Sequence, residues 1–116
     1  MPSENEHRKK YQDNRDLLNN ELSFDNSKRY NWILTVAFYS ALHLVEARLA
    51  SYGFHGRNHT LRENMVYQYS DFINIRAKYK DLHTKSIVAR YSGKNITEEK
   101  ARTAIKYLED IEKELL

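Results

Sequence analysis

Cysteine is missing from all 116 residues. Disulfides, a zinc–thiolate centre and a thiol nucleophile are therefore excluded, and the lack fits a reducing compartment such as the cytoplasm. Glycine and proline are nearly as scarce, at three and one. So few turn-formers disfavour an all-β fold and leave no glycine-rich phosphate loop. No serine sits in a strand–turn–helix elbow, so serine hydrolase chemistry has no support. The opening MPSENEHRKKYQDN lacks the apolar stretch of a signal peptide. The most hydrophobic window, Trp32 to Ala50, carries His43, Glu46 and Arg48; it suits a central helix better than a lipid-facing span, and no membrane partner is expected. No strong charge of one sign is present either. Nineteen Lys and Arg against sixteen Asp and Glu give +3. That permits contact with an anion such as RNA, but an ordinary solvated basic surface is the better explanation.

What is present is helical patterning sized for one domain, residues 1–116. Ser3 and Glu6 have capping-box spacing and start a first helix carrying Tyr11, Leu17, Leu18 and Leu22, which SFDNS then breaks. A second helix runs from about Ser27 to Tyr52, with Gly53 placed as a left-handed C-terminal cap. One stripe of it collects Trp32, Val36, Tyr39, His43 and Glu46; the opposite side collects Leu34, Phe38, Leu42, Val45 and Leu49. A helix apolar on both sides is surrounded by protein, either its own chain or a second subunit, so a homodimer is expected. Thr60 and Glu63 form a second capping-box pair and start a short helix through about Tyr69. SDF restarts the chain into a helix ending near Arg90 or Tyr91. A turn around Gly93 follows, and Thr97 caps an amphipathic last helix. The fold class expected is all-α, an up-and-down bundle of four main helices plus one short helix.

Six candidate binding residues cluster around the end of the second helix. Tyr39, His43 and Glu46 share one face of it by their spacing of four and three. His55, His59 and Arg62 follow within a turn and the start of the next helix. With Thr60 as cap, Arg62 would stand beside free amides that favour an anion. Imidazole, guanidinium and phenol groups there suit a phosphate or nucleobase, and imidazole can shuttle a proton near neutral pH. The same residues also fit a structural reading, with His43 a core histidine and His55 and His59 polar loop residues. A carboxylate-bridged metal site would need several inward acids; Glu46 is the one that qualifies, so no metal and no cofactor are expected.

Four stretches in order carry a resemblance to a known family. WILTVAFYSALHLVEARLASYG resembles the central helix of HEPN domains, the higher eukaryote and prokaryote nucleotide-binding family. HTLRENMV resembles the His-x-x-Arg segment that follows it, and LHTKSIVARY and TEEKARTAIKYLEDIEKEL resemble the last two helices, with Arg90 and Tyr91 at the family's Arg–Tyr boundary. The resemblance spans about Ser27 to Leu116. It implies a four-helix bundle, usually homodimeric. It also implies one of three roles: a metal-independent ribonuclease, a toxin partnered by a small nucleotidyltransferase, or a non-catalytic protein binding RNA or a nucleotide. The ribonuclease branch carries Arg, four to six residues, then His. Arg48 with His55 and Arg76 with His83 both match, although Leu49 and Ala77 stand where the family favours a polar residue. Arg76 and His83 lie two helical turns apart on one face and are the candidate catalytic pair. The competing expectation is a non-catalytic interaction module whose buried polar residues are structural.

Overall fold

The structure is a computed structural model and describes residues 2–92 and 94–116; the turn expected around Gly93 lies outside them. Five helices form, with no strand among the described residues: α1 (Glu4–Asn19), α2 (Tyr30–Ser51), α3 (His59–Gln68), α4 (Arg76–Tyr91) and α5 (Glu98–Leu115). The chain is the all-α bundle expected, four long helices and a short one.

Local chemistry explains most boundaries. The Ser3 hydroxyl accepts from the Glu6 amide at 3.1 Å while Glu6 accepts from the Ser3 amide at 3.3 Å, a complete capping box. α1 stops at Asn19, three residues before Leu22, because the Asn20 side chain takes the Asp16 carbonyl at 2.8 Å and the backbone folds into turns. Gly53 adopts φ 81°. Its amide bonds Ala50 O at 3.0 Å and the Phe54 amide bonds Leu49 O at 2.9 Å, so α2 closes in a full Schellman motif. Thr97 caps α5 by accepting from the Lys100 amide at 3.2 Å. Two expected boundaries are corrected. Asn58, not Thr60, caps α3, accepting from Leu61 N at 2.9 Å, so the helix begins at His59. SDF forms a separate 3-10 turn, Ser70–Phe72, and α4 begins only at Arg76.

α2 is the centre. It packs on α1, α4 and α5, and Ile33, Leu34, Ala37, Phe38, Ala41, Val45 and Leu49 on it are sealed from solvent. By length and composition it could cross a membrane, yet most of it is buried inside the bundle. Thr35 and Ser40 are buried on it without cost, since each hydroxyl bonds a carbonyl one turn back at 2.8 Å. The expectation that protein would surround α2 holds on three sides only. Val36, Tyr39 and His43 are half-buried and Trp32 is 58% exposed.

Candidate functional site

Four of the five histidines join one polar seam that runs across the α2 face and up between α3 and α4. Its inner half is built on Glu46, which is buried on α2. The Arg62 guanidinium, brought in by the first turn of α3, donates through Nε to Glu46 Oε1. The Gly56 amide donates to Glu46 Oε2 at 3.3 Å. From α1, His7 places Nε2 4.0 Å from Glu46 Oε2 and Nδ1 3.1 Å from His43 Nδ1. The carboxylate orders these contacts. With the His7 proton on Nε2 facing Glu46, His7 Nδ1 is an acceptor and His43 Nδ1–H is the donor.

The loop from α2 to α3 is shaped by this ion pair. Arg57 takes a positive φ of 32°, which reverses the chain in so short a connection. Gly56 is buried against Glu46 and Arg62; a Cβ there would collide with Glu46 Oε1 and lie 3.0 Å from Arg62 Cβ. His55 hangs beside it with a buried Nδ1 that bonds nothing among the described residues.

The outer half begins at the other end of Arg62. Its Nη1 donates to His59 Nδ1 at 3.1 Å. The His59 ring stacks on His83 of α4, centroids 4.4 Å apart, and His83 stacks on Phe38 at 5.0 Å. Glu63 accepts from His83 Nδ1. These partners set opposite tautomers. A guanidinium can only donate, so His59 carries its proton on Nε2; a carboxylate accepts, so His83 Nε2 is left with a free lone pair. Two adjacent imidazoles thus offer one donor and one acceptor, and neither Nε2 has a protein partner among the described residues. Beyond them Arg90 donates to Tyr39 Oη at 2.6 Å and to Ser86 O at 3.1 Å.

Burial sets the proton affinities. It pushes His43 down to about 4, with His7, Lys10 and Arg62 acting the same way and Glu46 opposing. Burial also lowers His7, and Glu46 opposes it there too. His59 is lowered by burial first, then by His83, Arg62 and Arg90. A base whose affinity falls on folding binds more protons when unfolded. Its contribution to stability is complete above about 6.5 and is lost as the pH falls toward about 4. The melting temperature is therefore expected to drop more steeply over that interval in the wild type than in His43→Gln. Parallel curves would mean that the His43 ring titrates as a solvated group.

The sequence-derived residues divide accordingly. Glu46, His43, His59 and Arg62 do meet in one network, but Arg62 is a buried partner of Glu46 rather than a free cation at a helix end. Its amide bonds Asn58 O at 3.0 Å and the Leu61 amide bonds Asn58 Oδ1 at 2.9 Å, so neither of these two amides is free for an anion. Tyr39 stands apart with Arg90. Arg76 does not reach His83: its guanidinium closes the C-terminus of α3, donating to Val66 O at 2.7 Å and Tyr69 O at 3.1 Å. Arg48 likewise pairs with Asp71 at 3.0 Å rather than with His55. Sequence reading missed His7 and the role of Glu63. The signal for His7 was its place four residues before Tyr11 on the buried face of α1. Among the described residues no three His, Asp or Glu side chains are arranged to hold a metal ion.

Fold and site together define a small helical bundle with a histidine-lined face over its central helix. The sequence model of the HEPN domain matches residues 11–115, nearly the whole chain, and the chain belongs to the HEPN family. It is a helical domain of that nucleotide- and RNA-related class. No curated protein and no solved structure matches it.

Proposed function

We propose that this HEPN domain binds RNA at the face formed by α3 and α4 and cleaves it without a metal ion. The observation that carries the reading is the His59–His83 pair, with opposite tautomers fixed by Arg62 and Glu63 and both Nε2 atoms free of protein partners. His83 Nε2 takes the proton of a ribose 2′-hydroxyl. The 2′-oxygen attacks the adjacent phosphorus, the bond to the 5′-oxygen breaks, and the leaving oxygen is protonated by solvent. His59 Nε2–H donates to a phosphate oxygen, and Arg90 adds a cation beside it. This moves the catalytic role from the Arg76–His83 pair to His83 and His59. Tyr39 orients Arg90; Glu46 and Arg62 hold His59 from behind.

The wider reading is a cytoplasmic ribonuclease toxin held by a nucleotidyltransferase-like partner, acting as a homodimer. Support for dimerisation comes from the outer face of α3 and the loop before it, where Phe54 and Leu61 are each 40% exposed and Tyr67 48%. The test is incubation of the purified protein with single-stranded RNA in EDTA. Cleavage to 2′,3′-cyclic phosphate and 5′-hydroxyl ends is expected. Binding without cleavage would leave the non-catalytic reading, which the mutual satisfaction of Glu46, Arg62 and His7 in the inner half favours. Sedimentation as a monomer at high micromolar concentration would end the dimer.

A further inference from the structure

Trp32 is the one tryptophan of the chain, and it is 58% exposed at the start of a helix otherwise devoted to the core. Tyr91, at the end of α4, is 75% exposed. Near these two helix ends lies a cleft of ≈ 190 Å³ lined by Asn31, Trp32, Thr35, Ala89 and Arg90. Its polar walls are already locked. Asn31 Nδ2 donates to the Ala89 and Lys94 carbonyls, both at 3.1 Å, and Asn31 Oδ1 accepts from the Ile96 amide at 3.0 Å. The Thr35 hydroxyl is spent on Asn31 O at 2.8 Å. What the cleft offers is therefore an aromatic face and a cation. The Arg90 guanidinium lies over the Tyr39 ring at 5.3 Å and over the Tyr91 ring at 5.0 Å. The lining carries that cation and no carboxylate.

We infer that this cleft is a stacking subsite for an unpaired nucleobase of single-stranded RNA. Trp32 supplies the π face, Arg90 the cation, and the strand continues past Arg90 toward His83. The inference rests on the RNA reading above and narrows its ligand: bases paired in a duplex do not present their faces, whereas those of a single strand do. From His83 to Arg90 is about 10 Å along α4, which sets the held base close to, but not at, the bond attacked by the 2′-hydroxyl. A second copy of this chain is the weaker occupant. A cleft this small, with a cation in its wall, offers little of the roughly 800 Å² per partner that a stable interface buries.

Trp32 is its own reporter. The probe is a short 2′-O-methyl oligouridine, which lacks the attacking hydroxyl and stays intact, with a duplex of equal length beside it. The single strand is expected to quench the tryptophan emission saturably and the duplex to leave it unchanged. Trp32→Ala is expected to weaken single-strand binding about fivefold or more, and Trp32→Phe to recover most of it. Binding with unaltered emission, and with unchanged affinity in Trp32→Ala, would overturn the subsite and leave the RNA reading intact. Binding of the duplex alone would overturn the subsite, and binding of neither probe to the wild type would overturn both readings. Loss of a dimer in Trp32→Ala, with RNA affinity unchanged, would give the cleft to a second copy and overturn the inference as well.

Discussion

Arg62→Ala is expected to lower the free energy of unfolding by about 3–5 kcal/mol. The side chains of Arg62 and Glu46 are 11% and 5% exposed, so the pair lies out of reach of screening water. Removing the guanidinium strands a carboxylate whose remaining neighbours are the Gly56 amide at 3.3 Å and His7 at 4.0 Å. A domain of this size holds about 5–15 kcal/mol in all, so the variant should be near the edge of folding. The cost belongs to the orphaned charge, not to the loss of a favourable bond. The double change Arg62→Met, Glu46→Leu should therefore be less harmful than Arg62→Ala alone. Urea titration of the three proteins measures this. A loss under about 1 kcal/mol in Arg62→Ala would place the pair in the class of surface bridges.

His83→Gln should reduce RNA cleavage by about 10²–10⁴-fold, the usual worth of a positioned general base. Glutamine can still donate to Glu63, and the imidazole it replaces is not part of the sealed core, so the melting temperature should change little. Arg76→Gln gives the opposite pattern. It releases the Val66 and Tyr69 carbonyls at the end of α3, which should lower stability while the folded fraction cleaves as before. Single-turnover rates set against melting curves separate the two. Undiminished cleavage in His83→Gln would remove this imidazole from the chemistry.

The difference between Arg76 and His83 also shows what could be read in the residues alone. Short-range devices were legible because their partners lie within five residues: Ser3 with Glu6, Thr97 with Lys100, Gly53 with its Schellman bonds. The all-helical architecture and the central place of α2 followed from the same local patterns. Thr60 and Glu63 obeyed the capping rule equally well and were misread. Asn58 reaches the amide of Leu61 first, and Glu63 is drawn to His83, twenty residues away. The site had the same difficulty. Tyr39, His43 and Glu46 share a helical face by spacing, but spacing is silent on which cation faces which anion. Glu46 and Arg62 neutralise each other across sixteen residues, and Tyr39 turns to Arg90 across fifty-one. His7 lay in a polar opening segment, marked only by its place one helical turn before Tyr11. Trp32 was counted with the core because an apolar side chain on a central helix normally is. Whether it is covered depends on where neighbouring helices end, a property of tertiary packing.

His7 makes α1 more than a wrapper. It is the one imidazole of the seam contributed by that helix, and it bonds a histidine 36 residues away. Docking of α1 and the uptake of protons by His7 and His43 are therefore linked quantities. Whatever free energy protonation removes from the docked helix, undocking returns as proton affinity in equal measure. Proton release on folding, counted by potentiometry, should accordingly depend on residues at the far N-terminal end of the chain. A change as remote as Ser3→Ala, which loosens the first turn of α1, would then register in the titration of His43.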